Sequence, residues 1–199
     1  LEPEQWFTIN QLFDYAGGSG GHMDVLCFPF ARGRIFLEQE IDKGQYNTSE
    51  KIFWASGTAI MVRKNIFERA GMFDKTFFAH MEEIDYHWKC LLNGYDVYVE
   101  PNSVVYHKGG QTLPYDSYKK IYLNHRNSMI LFLTNHQNLS FKIILKRFAL
   151  NDIAALYYLC TGNFKGFGAV CMANLWMFCN MKYLLKRRRK IKKIIPSKA

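Results

Sequence analysis

The stretch FFAHMEEIDYHWK, residues 77–89, sets Glu82, Glu83 and Asp85 within four positions. Carboxylates are side chains that accept protons and hold cations. Three of them this close repel one another, so an ordinary surface gains no stability from the cluster. A plainer use is compensation of the helix dipole, which favours negative charge in a first turn. That accounts for one or two acids, whereas a third adds repulsion with little further benefit. Downstream, the run SVVYH ends in His107, followed by Lys108-Gly109-Gly110. A histidine there can point into a cleft or serve as an ordinary surface residue. Upstream, four of the five positions 17–21 are glycine. They form either a connecting loop or backbone that approaches a substrate closely. The run is neither a dinucleotide fingerprint nor a P-loop, because residue 23 is Met and no Lys-Ser/Thr follows.

The elements that must position these residues can be read from periodicity. Ile84, Trp88, Leu91 and Leu92 form one apolar stripe, which predicts a helix from about Met81 to the Asn93-Gly94 stop. FWASGTAIMVR, residues 53–63, reads as a buried strand entered through a small-residue turn. KNIFERAG reads as a short helix stopped at Gly71, and MFDKTFF as a loop. YDVYVEP and SVVYHKGG alternate with period two and predict two short strands around Pro101-Asn102. Beyond Tyr118, YKKIYLNHRNSMILFLTNH and SFKIILKRFALNDIAALYYLC predict two helices. GFGAVCMANLWMFCNMKYLL follows, and its uncharged segment 166–181 is shorter than the roughly 20 residues a span needs. An amphipathic helix lying in the membrane interface is the expectation.

Charge divides the chain. Residues 1–118 carry 10 Lys/Arg and 16 Asp/Glu, and residues 119–199 carry 16 Lys/Arg and the single acid Asp152. The hydrophobic content of 49% and aromatic content of 16% exclude a disordered chain. The tail KRRRKIKK is basic at seven of eight positions and suits an anionic membrane surface, at roughly 1 kcal/mol per basic residue. A nucleic-acid platform would interleave basic residues with exposed aromatics. A terminal cluster favours membrane over nucleic acid. Five cysteines, with no C-x-x-C pair, point away from a zinc site or a disulfide framework and towards a reduced cytosolic setting. The start, LEPEQWFTIN, has no Met and no basic n-region, and reads as the interior of a longer protein.

Residues 54–110, WASGTAIMVRKNIFERAGMFDKTFFAHMEEIDYHWKCLLNGYDVYVEPNSVVYHKGG, resemble the C-terminal half of the catalytic domain of family 2 glycosyltransferases. The likeness is to bacterial rhamnosyltransferase-like and galactofuranosyltransferase-like members. The landmarks are an A-S-G turn, G-x-F-D, F-F, an E-D/E-x-D helix start, W-[RK], an N/G-Y turn and a strand ending in Y-H-x-x-G. Each is weak alone, and their order and spacing carry the signal. The basic helical tail also looks like the membrane-associated extension common in that group.

The resemblance implies an α/β fold, a partial GT-A (Rossmann-like) mixed sheet over residues 1–117, followed by amphipathic α-helices over 118–199. It implies inverting transfer from a nucleotide-sugar donor to a hydroxyl of a glycan or lipid-linked acceptor, in cell-surface polysaccharide synthesis. The enzyme would be peripheral, on the cytoplasmic face of the plasma membrane. Glu83 falls at the base position and Glu82 beside it as a supporting acid, although the family more often carries Asp at the second position. Asp85 matches a further acid that binds acceptor or holds the loop. Trp54, Ser56 and Gly57 fall where the family shapes its acceptor and diphosphate pocket. Phe77, Phe78 and Trp88 either line it or serve as core aromatics. His107 matches a ligand of the divalent metal, Mn²⁺ or Mg²⁺, that stabilises the departing diphosphate. The family's D-x-D motif occurs nowhere in this chain, so the sequence is expected to need a donor-binding half to be competent. A non-catalytic membrane-interaction module, and less so a nucleic-acid-binding protein, are the alternative readings.

Overall fold

The computed structural model describes residues 12–13, 18–35, 38–105 and 117–195. The chain divides into two compact units, Leu1–Phe73 with Tyr86–Gly109, and Asp74–Asp85 with Gly110–Ala199. The acid-bearing segment therefore groups with the helical part of the chain.

The first unit is built from short antiparallel pairs. β1 (Gly21–Met23) pairs with β2 (Pro29–Ala31), and β3 (Arg34–Ile35) with β4 (Glu38–Gln39). β5 (Glu50–Ile52) pairs with β6 (Val97–Val99), with Ile52 opposite Val97. The fold is mixed α/β, and its described sheets are two-stranded and antiparallel.

The strand expected at 53–63 lies earlier, at Glu50–Ile52. Ser56 Oγ accepts the Thr58 N–H at 3.3 Å, a local turn that takes the chain out of extended conformation. Met61 is consequently fully solvent-exposed. The second expected strand, at SVVYH, is not a strand at Val104 and Val105, and its continuation with His107 lies outside the described residues. The glycine run is more than a loop: Gly21 opens β1, and its carbonyl accepts the N–H groups of Phe53 and Trp54.

Ala70, the C-cap of the short helix α1 (Lys64–Arg69), is buried with Tyr86 and Cys90, and Ile66 and Phe67 pack against them. Helix α2 (Glu82–Leu92) forms where predicted, but residues 84–90 are buried on every side and Leu91 and Leu92 of the expected stripe are only half-buried; Gly94, at φ 81°, provides its left-handed stop.

The second unit is helical. α3 (Tyr118–Asn135), α4 (Phe141–Cys160) and α5 (Phe164–Cys179) each begin on a capping side chain. Ser117, Ser140 and Asn163 accept backbone N–H groups of Lys120, Ile143 and Gly166 respectively. The single helix expected after TGNFKG is two, because Asn180 interrupts it before α6 (Met181–Ile194). α3 is the central element, with Met129, Ile130, Leu131 and Phe132 fully buried.

Helix α6 changes the reading of the basic tail. Arg188 donates to the carbonyls of Leu133, His136 and Gln137 at 2.7–3.1 Å, which ties down the C-terminal end of α3. Arg187 is buried. Two of the seven basic residues are therefore internal fasteners. Lys186, Arg189, Lys190, Lys192 and Lys193 face solvent.

Candidate active site

The acids sit where a strained loop meets a helix. Asp74 Oδ1 accepts the Thr76 N–H at 2.9 Å, which starts a turn. Three of the next residues, Phe78 (φ 62°), His80 (φ 66°) and Met81 (φ 70°), are left-handed. That conformation costs an L-residue roughly 1–2 kcal/mol, so the surroundings must hold it.

Asn127 of α3 does much of the holding. Its fully buried amide donates to the carbonyls of Phe77, Ala79 and His80 at 3.0, 2.8 and 2.7 Å. Arg126 adds a bond to the Thr76 carbonyl at 2.7 Å. Asn127→Ala leaves the buried carbonyls without that donor and is expected to destabilise by about 1–3 kcal/mol. Urea unfolding measures it, and Asn127→Asp should be no better because a carboxylate cannot donate.

The three acids that follow have different surroundings. Asp85 has no solvent exposure. Its Oδ1 receives Arg187 Nη2 at 2.7 Å and Asn135 Nδ2 at 2.8 Å. Arg187 Nε reaches Asp74 at 3.0 Å, and its Nη1 donates to Asn135 Oδ1 at 3.0 Å and to Thr134 Oγ1. Its guanidinium lies over the buried ring of Phe77. Of the two roles expected for Asp85, this geometry suits holding the loop, because an acceptor has no surface of Asp85 to meet.

Glu82 and Glu83 are partly exposed, yet each keeps its Oε2 out of solvent with no hydrogen-bond partner among the described residues. Burial pushes the Glu83 pKa up to about 7, and the neighbouring Glu82 charge adds to the shift. Hydrogen bonding to backbone at Glu83, Ile84 and Met81 pulls the other way and does not prevail. His80 next to them is held below its usual pKa, first by burial and then by the charge of Lys120. It is therefore a neutral imidazole at pH 7. The arrangement leaves one carboxyl, Glu83, able to gain or lose a proton near neutrality.

The residues expected at the pocket fall in the first unit. Trp54 is 7% exposed and donates from Nε1 to the His22 carbonyl at 3.0 Å. Trp88 is 9% exposed, with its ring edge-on to Phe53 at 5.4 Å. Both act as core aromatics here. Ser56 lines a cleft of about 630 Å³ together with Ala55, Ile60, Tyr86 and His87. Gly57 is exposed but does not line it. A Cβ on Gly21 would run into the Trp54 indole. Gly21→Ala is accordingly expected to cost about 1–3 kcal/mol through overpacking, read as a lowered thermal midpoint.

Sequence reading missed Arg187, Asn127 and Asn135. The polybasic run hid the first, and no local pattern marks the two asparagines. Among the described residues no three His, Cys, Asp or Glu side chains gather as a metal site. His107, the expected ligand, lies outside them.

No protein-family model matches the chain, and no solved structure does. Two curated proteins are similar to it, the N-acetylglucosaminyl-diphospho-decaprenol L-rhamnosyltransferases of two Mycobacterium tuberculosis strains. They are 30% identical over 84 residues, which is 42% of this chain and 27% of theirs. The chain thus spans about a quarter of the length of the curated relatives it matches.

Proposed function

We propose that this chain is the acceptor-side part of an inverting glycosyltransferase of GT-A type, with Glu83 as its general base. The observation that carries the proposal is a carboxyl poised near neutrality at a helix start, beside a second acid and behind a strained, anchored loop. The partial similarity to L-rhamnosyltransferases supports the reaction class. Their acceptor is named as a sugar on a diphospho-lipid, and a lipid-linked or glycan hydroxyl is the acceptor we assign here. The donor is a nucleotide sugar, bound mainly by a portion that this chain does not supply.

In the proposed step Glu83 takes the proton of the acceptor hydroxyl. The oxygen forms a bond to the anomeric carbon from the face opposite the leaving group. The bond from that carbon to the diphosphate breaks, and its electron pair leaves with the nucleoside diphosphate. A base with a pKa near 7 is half ionised at neutral pH and still strong enough to pull the proton, which is the efficient compromise. Glu82 keeps that pKa high through its charge. Asp85 and Asn127 fix the helix start and the loop behind it. A divalent metal held by His107 would stabilise the departing diphosphate. Peripheral attachment to an anionic membrane is assigned to the exposed basic residues of α6.

The test is single-turnover transfer to a lipid-linked acceptor by the complete transferase, wild type against Glu83→Gln, with donor binding measured in parallel. Lost transfer with donor binding retained supports the base. Retained turnover overturns it.

A further inference from the structure

The first turn of α3 carries charge of the wrong sign. A helix N-terminus is the positive end of the dipole and favours acids. The turn that opens on Tyr118 instead holds Lys119 and Lys120, with no acid among them. The cap does not relieve it. Ser117 Oγ takes the Lys120 N–H at 3.3 Å, and the Ser117 carbonyl takes that of Ile121 at 3.1 Å. The N–H groups of Tyr118 and Lys119 meet no acceptor among the described residues.

The loop that leads to the acids reaches this turn within the same compact unit. The Lys119 ammonium sits 4.4 Å from the centre of the Phe78 ring. Lys120 is close enough to His80 for its charge to add to burial in keeping that imidazole neutral. His80 Nε2 is shielded from solvent and finds no hydrogen-bond partner among the described residues. A shielded polar nitrogen without a partner is costly.

Phe78 has no packing reason for its position. Its φ of 62° is left-handed, which a bulky residue rarely adopts, and its ring is 70% exposed. Asn127 holds the carbonyls on either side of it, at Phe77 and Ala79. Backbone strain that is held in place to present a side chain outward is found at ligand clamps.

These features ask for one partner. Two ammonium groups, two unused backbone N–H groups and an imidazole nitrogen suit an anion with several oxygens. The ring beside them suits hydrocarbon attached to that anion. A free phosphate would use the donors and leave the ring bare.

We infer that the first turn of α3, with His80 and Phe78, binds the diphosphate of a lipid-linked acceptor. Lys119, Lys120 and the N–H groups of the turn hold phosphate oxygens, His80 Nε2 bonds to one of them, and Phe78 covers the first carbons of the lipid. The sugar on the other end of the diphosphate is then the part that reaches Glu83. This rests on the acceptor reading above and adds the residues that select a diphosphate-linked acceptor over a free glycan.

The test follows the His80 ring by NMR in the full chain, at about 0.15 M salt to screen loose surface attraction. His80→Asn assigns the resonance, because asparagine tolerates the left-handed backbone. Geranyl diphosphate and inorganic pyrophosphate should each shift it saturably. Lys119→Ala/Lys120→Ala should weaken both about tenfold or more. Phe78→Asn should weaken geranyl diphosphate about three- to tenfold and leave pyrophosphate unchanged. An unmoved His80 resonance overturns the site. Glycerol phosphate bound as tightly as pyrophosphate would make this a site for any phosphate monoester, a lipid headgroup included, and overturns the diphosphate assignment. Uridine diphosphate bound as tightly as geranyl diphosphate, with no effect of Phe78→Asn, would assign the turn to the donor and overturns it too. Should the lysine variant misfold, the wild-type resonance and Phe78→Asn decide. Binding is read without turnover, so its outcome is independent of the Glu83→Gln transfer assay.

Discussion

Glu83→Gln is expected to lower transfer by about 10²- to 10⁴-fold, the usual contribution of a general base, and to make the protein more stable above pH 7. The two effects share one cause. Burial, and then Glu82, raise the Glu83 pKa from 4.5 to about 7. The folded chain therefore holds this proton more tightly than the unfolded chain does. Between those two values the unfolded carboxyl has already ionised and the folded one has not. Stability from this group is full below pH 4.5 and is lost as pH rises through about 7. Part of the residue remains exposed, so the loss is discounted to about 2 kcal/mol.

Glutamine carries no such proton. Urea unfolding should show wild type and variant nearly equal at pH 5, with the variant about 2 kcal/mol more stable at pH 8. Wild-type transfer should rise with pH through about 7 as the base ionises. A glutamate that only compensated the dipole would behave otherwise. Its replacement would cost a few tenths to about 1 kcal/mol and would leave transfer intact. A variant that is less stable at pH 8 would remove the case for a buried, poised carboxyl.

Arg187→Ala is the second large effect. The substitution leaves Asp85, which has no solvent exposure, and Asp74 without their cation. Removing one partner of a buried ion pair costs about 3–5 kcal/mol, to be measured by chemical unfolding. Arg187→Lys keeps the charge but cannot reproduce the fork of three nitrogens, so it should recover only part of the loss.

The acid limb offers an independent check. Burial raises the Asp74 carboxyl, but hydrogen bonds from Thr76 and the charge of Arg187 outweigh it and hold the pKa below 3.8. The stability from Asp74 is thus present above about pH 4 and lost as pH falls through its lowered pKa. Arg187→Ala should flatten that acid limb. Arg187 is a positioning residue, because it acts on the acids through Asp85. Its loss should also move the pH midpoint of transfer away from about 7, which a purely structural role at a distance would not do.

Periodicity carried the helices well. The stripe Ile84, Trp88, Leu91 and Leu92 placed α2, and the helical patterns beginning at Tyr118 and Ser140 placed α3 and α4. Strands were harder, because the apolar run Ile60-Met61-Val62 follows a serine turn that releases it from any sheet. The acid cluster was visible as a cluster, but its division of labour was not. Asp85 and Glu83 look alike in sequence and differ only in what arrives from α3 and α6. Arg187, in a run of seven basic residues, carries no local mark of its inward direction.

Asp85 and the arginine that neutralises it stand 102 residues apart. On a ribosome adding about 5–20 residues per second, the gap is roughly 5–20 s of synthesis. Throughout that interval the nascent chain carries three acids in four positions without Arg187. The first turn of α2 can settle only after the final helix has emerged and folded back, so the poised carboxyl is among the last features of the fold to mature. A truncation before Lys186 would leave every residue of the acid cluster in place and still deprive it of the contact that organises it.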